Sequence, residues 1–101
     1  MPPSAVADPQ LLLLISLASG PKHGHAMRLD IEAFADRRLG PGTLYGALTI
    51  LEGCGYVEAL PPDGRRRPYR LTARGRTVLA ERLAGLSTAV ETGLRRIEAV
   101  S

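Results

Sequence analysis

The 101-residue sequence predicts a mainly α (α+β) fold: three helices, a small hairpin and one long final helix. Apolar residues recur at helical spacing in several separate stretches. Residues 56–72 instead read as two short strands about the turn pair Asp63-Gly64. The last quarter of the chain then carries a near-heptad apolar stripe. A chain of this length and ordinary composition, 45% hydrophobic and 23% charged, forms one domain.

Residues 1–7 read as a disordered lead. Asp8 followed by Pro9 is an N-cap with an N1 proline, so helix 1 starts there and runs to about Ser19, before Gly20-Pro21. Its apolar residues Leu11–Leu14, Ile15, Leu17 and Ala18 surround it, so it needs cover on several sides, one of which a second subunit would offer. Helix 2 fits 24–35, with Met27, Ile31 and Phe34 as its buried stripe. Helix 3 begins at Pro41 and ends near Gly53/Gly55. Leu44, Ala47, Leu48 and Leu51 point inward on it, and the opposite face is stripped to Gly42, Gly46, Thr49 and Gly53, flanked by Thr43 and Tyr45.

The strands follow at 56–60 and 67–72, with Arg65, Arg66, Arg67 and Arg70 on the returning one. Pro61, Pro62 and Pro68 confine this hairpin to an edge, since proline cannot donate to a ladder. Thr72 caps a last helix reaching about Val100. Its stripe, Leu79, Leu83, Leu86, Val90, Leu94 and Ile97, is spaced 4, 3, 4, 4 and 3. About 27 helical residues make roughly 40 Å, far beyond the ~13 Å radius of gyration of a compact domain of this size. The stripe therefore calls for a partner, and a symmetric homodimer is the usual one.

Charge is unevenly placed. Residues 1–60 hold four Lys/Arg and six Asp/Glu, residues 77–101 hold three of each, and residues 61–76 hold six Arg against Asp63 alone. Three helices, a basic hairpin and a projecting helix are the plan of a winged helix-turn-helix with a long C-terminal dimerisation helix, helix 3 being the recognition element. The expected division is a DNA-binding domain over 8–76 and a dimerisation helix over 73–100.

The stretches "GPKHGHAM" (20–27), "LGPGTLYGALTILEGCGYVEA" (39–59) and "GRRRPYRLTARGRTVL" (64–79) together resemble the PadR-like family of bacterial transcriptional regulators, in its short form with one C-terminal helix. The resemblance implies a dimeric repressor that binds double-stranded DNA and is released by a small-molecule effector. By the same analogy the effector site lies between helix 1 and the long helix, near Leu12, Ile15 and Leu86. A cytoplasmic protein is expected from the missing signal-peptide pattern, and the single cysteine gives no sign of an oxidising compartment. This chain departs from the family pattern at Gly46, where proline is usual, at His25, where an aromatic is usual, and at Gly40, where a hydroxylated cap is common. It also has no tryptophan to stack a flat ligand.

The candidate DNA contacts follow from position. Arg65, Arg66 and Arg67 are placed to reach phosphates or the minor groove. Pro41, Gly42, Thr43, Tyr45 and Thr49 are the groove-facing residues of helix 3. That helix lacks Arg, Lys, Asn and Gln, so direct base readout is sparse and DNA shape carries part of the specificity. Lys22 and His23, before helix 2, reach backbone phosphate or form a plain exposed turn. Arg74 and Arg76 open the last helix, where the dipole disfavours cations. The expected dimer interface is Leu12, Leu79, Leu83, Leu86, Val90, Leu94 and Ile97, with Gly85 and Gly93 permitting close helix crossing.

Other classes find little support. His23, His25 and Cys54 are too few and too loosely spaced for a zinc pattern, no nucleophile or carboxylate-pair motif stands out, and no cofactor is expected. Cys54 reads as a small buried residue ahead of a redox thiol. The apolar run Leu11–Ile15 is too short to span a bilayer, and no cation precedes it as in a signal peptide. Two readings stay open beside a specific regulator: a winged-helix module that docks on protein, and a non-specific nucleoid-binding protein.

Overall fold

The computed structural model describes residues 8–100; the expected disordered lead at 1–7 lies outside them. Seven elements follow in order: α1 (Pro9–Leu17), β1 (Lys22–His23), α2 (Gly24–Ala35), α3 (Pro41–Gly53), β2 (Val57–Ala59), β3 (Pro68–Leu71) and α4 (Ala73–Val100).

Local chemistry sets most of these boundaries. The Asp8 carboxylate accepts from the Leu11 N–H at 2.8 Å, and Pro9 follows at the first helical position. α1 stops two residues earlier than expected, capped at Ala18, before Gly20 at φ 140. α2 ends on Asp36 in the left-handed region at φ 50, a conformation that Asp tolerates better than most residues. The Thr72 hydroxyl accepts from Gly75 N–H at 3.0 Å and so caps α4.

α1 is the centre of the core. It packs against α2, α3 and α4, and Leu11, Leu12, Leu13, Leu14 and Leu17 are all closed in by the protomer's own chain. Met27 and Ile31 of α2, the α3 residues Leu44, Ala47, Leu48 and Leu51, and Val57, Leu71 and Leu79 complete it. Leu39 in the α2–α3 connector is also buried and anchors that turn. Phe34 does not join its expected stripe: it is 45% exposed, because Met27 and Ile31 already fill the α2 side of the core. Cys54 is exposed as well, since it caps α3 beyond the last inward turn.

The hairpin is part of a three-stranded antiparallel sheet in the order β1-β3-β2. Lys22 pairs with Tyr69 and His23 with Pro68 on one side of β3, while Val57, Glu58 and Ala59 pair with Leu71, Arg70 and Tyr69 on the other. β3 is therefore central, contrary to the edge expected from its proline. Pro68 is accommodated as the first residue of the strand, where its carbonyl accepts from Leu60 N–H at 2.8 Å. Two residues, Lys22 and His23, are too short a strand for periodicity to reveal.

α4 packs on α1 and β3 through its first turns, with Gly75 and Leu79 as its buried residues. Beyond Leu79 it extends away from the domain, which accounts for overall dimensions of 57 × 26 × 20 Å. Arg82 ties its base to α1 by an ion pair with Asp8 at 2.8 Å.

Candidate nucleic-acid interface

The outer face of α3 is built by omission. Pro41, Gly42, Thr43, Tyr45, Gly46, Thr49 and Gly53 are all exposed. A β-carbon added at Gly42, Gly46 or Gly53 would meet nothing within 4 Å, so packing inside the protomer does not require glycine there. The Thr49 hydroxyl donates to the Tyr45 carbonyl at 2.9 Å, which leaves its methyl as the outward group. No side chain caps the N-terminus of α3, where Gly40 stands.

Ile50 is also exposed on this side of α3, and the larger bulky group there is Tyr45. Its ring reaches back over Gly24 at the start of α2, and its hydroxyl fills the space that a β-carbon on Gly24 would take. Tyr45 is about half exposed, neither a core aromatic nor a free one.

The basic loop stands beside it. Asp63 and Arg66 exchange backbone hydrogen bonds of 2.7 and 3.0 Å, with Gly64 and Arg65 as the central turn residues. Gly64 has φ 63, the conformation the first central residue of a II′ turn demands. Arg65 therefore sits on the loop tip, with Arg66 and Arg67 just behind, ahead of the strand on which the sequence placed them. Arg70 alone of the four lies within β3, and it is spent on the facing Glu58 carboxylate. No carboxylate pairs with Arg65, Arg66 or Arg67 among the described residues. A cavity of about 230 Å³ is lined by these three arginines together with His23, Gly24, His25, Tyr45 and Tyr69.

His23 has a structural duty. Its Nδ1 accepts from Ala26 N–H at 3.4 Å as the N-cap of α2, and its Nε2 lies 3.4 Å from Arg66 Nη1. With Nδ1 accepting, the neutral ring carries its proton on Nε2, so two donors meet there and Arg66 gains no acceptor. Lys22 is turned away from this surface. Its ammonium donates to the Ser16 carbonyl at 2.5 Å and to Ser19 Oγ at 2.6 Å, satisfying the C-terminal end of α1. The buried Ser16 hydroxyl in turn donates to Asp30 Oδ2 at 2.7 Å.

The expected interface residues divide in two. Leu12 and Leu79 lie in the protomer's own core, 2% and 5% exposed, and offer no surface to a partner. Closure of Leu12 also removes one wall of the effector site expected beside Ile15 and Leu86. Leu83, Leu86, Val90, Leu94 and Ile97 stay exposed along α4, and β-carbons at Gly85 and Gly93 would meet open space. At the other end of that helix, Arg74 lies over the Tyr56 ring, 5.7 Å from its centroid, a partner for its charge that the sequence did not reveal.

Among the described residues no helix is long and apolar enough to cross a membrane, and no group of three or more His, Cys, Asp or Glu is placed to hold a metal.

Residues 12–81 match the transcriptional regulator PadR-like family. The chain belongs to that family. PadR-like proteins are DNA-binding transcriptional regulators rather than enzymes. The fold is similar to that of a PadR family transcription regulator from Clostridium difficile, with TM-score 0.76, 18% identity, and coverage of 83% of this chain and 92% of that one. It is also similar to RosR from H. salinarum in the RosR-S1 complex, with TM-score 0.67, 26% identity and coverage of 90% of each chain. An uncharacterized 37.1 kDa protein in a transposon of Streptomyces fradiae is 50% identical over 72 residues. This PadR-like chain matches it over 71% of its own length but spans only 21% of that relative.

Proposed function

We propose that this PadR-like chain binds a palindromic operator as a homodimer and represses transcription by occupying it. The observation that carries the reading is the bare face of α3, with its open-space glycines at Gly42 and Gly46, set beside three arginines that no carboxylate among the described residues neutralises. A face opened at Gly42, Gly46 and Gly53 suits close approach to a DNA groove, and the arginines suit its phosphates. Thr43, Tyr45 and the Thr49 methyl would meet the groove floor, with Pro41 and Gly42 leading the helix in. Arg65, Arg66 and Arg67 would hold the flanking backbone. His23 would cap α2, and Lys22 would hold the end of α1, so both would serve the fold instead.

The exposed stripe Leu83, Leu86, Val90, Leu94 and Ile97 supports self-association, and two-fold symmetry would place the two α3 helices about 34–36 Å apart or a multiple of it. Repression and release by a small-molecule effector rest on the family resemblance.

The test is fluorescence anisotropy with DNA upstream of the chain's own gene against a scrambled duplex, at several salt concentrations. Site-preferring, salt-steep binding is expected. Arg66→Ala and Arg67→Ala should weaken binding alike on both duplexes and each lower the salt slope by about 0.9, whereas Thr43→Ala should change the preference between them. Equal binding to both duplexes would point to a nucleoid protein, and no binding at low salt to a protein partner.

A further inference from the structure

α3 brings no long cationic side chain to the surface it presents, and Lys22, the cation expected on α2's side, is committed to α1. The fold supplies a different one. Arg28, one turn into α2, lines a cavity of about 220 Å³ with Gly24, His25, Pro41, Leu44 and Tyr45. This cavity lies at the N-terminal end of α3, on the side of Tyr45 marked by Pro41 and Leu44. The arginine-lined cavity of the wing shares Gly24, His25 and Tyr45 with it, so the two flank one tyrosine.

The state of Arg28 distinguishes it from Arg38 and Arg82. Arg38 faces Glu32 at 3.4 Å and Arg82 faces Asp8 at 2.8 Å. Arg28 pairs with no carboxylate among the described residues. Its Nη2 instead lies 3.3 Å from His25 Nδ1, one turn before it on the same helix face. A neutral imidazole with its proton on Nε2 accepts that hydrogen bond, fixing the guanidinium and leaving its other N–H groups without a protein acceptor. An oriented guanidinium on a half-buried arginine, with no counter-charge among the described residues, is suited to a phosphate, which it can grip with two parallel hydrogen bonds.

We propose that Arg28, held in place by His25, clamps a DNA backbone phosphate at the N-terminal end of α3, a second anchor across Tyr45 from the arginine wing. The assignment rests on the DNA-binding reading above. It gives α2 a direct part in affinity, and it gives His25 a positioning role through Arg28. The two anchors would fix the angle at which α3 enters the groove, which matters more for a helix with few base-reading side chains of its own.

The experiment measures affinity against salt for the full chain on one fixed mixed-sequence duplex of about 30 base pairs, with Arg66→Ala as a wing control. Arg28→Gln should lower the slope of log K against log salt by about 0.9 and weaken binding equally on a second, unrelated duplex. Arg28→Lys should keep the slope, because the charge remains, while losing part of the affinity. His25→Ala should weaken binding with the slope intact, because the charge stays and only its orientation is lost. An unchanged slope in Arg28→Gln, with Arg66→Ala lowered, overturns the clamp and leaves the DNA reading standing. Absence of wild-type binding at low salt overturns both. A fall in the Arg28→Lys slope equal to that of Arg28→Gln also overturns it, since loss of charge would then not be the cause.

Discussion

The Tyr45 hydroxyl occupies the space beside Gly24 that a β-carbon would fill. The relation joins the first residue of α2 to the groove-facing side of α3, so the direction of the tyrosine is set from another helix. Gly24→Ala should therefore act on DNA binding through Tyr45. The obstructing atoms are the far end of a side chain, which can swing away at small cost, and at the first position of α2 the exchange of glycine for alanine itself changes stability little. Thermal melting should move by only a few degrees. DNA preference should change as it does in Tyr45→Ala, and a normal preference in anisotropy would show that the tyrosine is not positioned by Gly24.

Gly75 poses the opposite case. An added β-carbon there would run into the backbone carbonyl of Tyr56, which also accepts from Thr72 N–H at 3.0 Å, and into Leu71. Backbone cannot swing aside, so Gly75→Ala must displace α4 from the sheet. The expected cost is about 1–3 kcal/mol, or a fall of roughly 4–8 °C in melting temperature per kcal/mol. Gly46→Ala, with open space around it inside α3, should melt a few degrees higher, since alanine gains about 0.5–1 kcal/mol over glycine within a helix. Differential scanning calorimetry of the two variants separates a packing glycine from a surface one.

These two glycines mark how far sequence alone reaches. Asp8-Pro9, Pro41, Asp63-Gly64 and Thr72 each carry their own local chemistry, and the elements they begin or turn were legible from it. The inward leucines of α3 were legible from period alone. Partners distant in sequence were not. Nothing in the spacing of Gly24 and Tyr45, or of Gly75 and Tyr56, announces a contact between helices. Lys22 read as a free cation because its acceptors at the end of α1 become neighbours only when the Gly20-Pro21 turn folds back. Phe34 kept the period of its helix but exceeded the room that Met27 and Ile31 leave, a limit set by three-dimensional packing. Arg28 gave no signal, because an arginine in an exposed helix is ordinary until its partners are known.

Asp8 should make acid stability depend on one carboxylate. Partial burial works against its charged form, but the hydrogen bond from Leu11 N–H and the Arg82 guanidinium outweigh that and hold its pKa below the ordinary carboxylate value. A folded pKa below the unfolded one gives stability that is present above the unfolded pKa, roughly 3.9, and lost as pH falls through the folded value. Asn caps helices about as well as Asp, so Asp8→Asn removes the titration and the ion pair but retains the cap. In urea titrations the parent should exceed Asp8→Asn above about pH 5, and the difference should shrink toward zero below about pH 4. Added salt should narrow it, because the pair is exposed and screened. A difference that stays constant down to pH 2 would mean that the carboxylate's charge contributes nothing.

Leu94 tests the proposed dimer without touching the domain. It lies some four turns beyond Leu79, the last buried residue of α4, and its side chain is exposed in the protomer. Glutamate is a good helix former, so Leu94→Glu should leave both the helix and the domain core intact. If the stripe Leu83, Leu86, Val90, Leu94 and Ile97 closes against its copy, the substitution buries a carboxylate in an apolar seam with no partner provided. Such an unpaired charge costs about 3 kcal/mol or more, so the dimer dissociation constant should rise on the order of 100-fold. Light scattering across a dilution series would read this as a monomer at concentrations where the parent is dimeric. DNA binding should weaken in step, because each monomer then holds a half-site alone. An unchanged mass would place the dimer contact elsewhere on the chain, and a parent that is monomeric throughout would remove the dimer from the proposal.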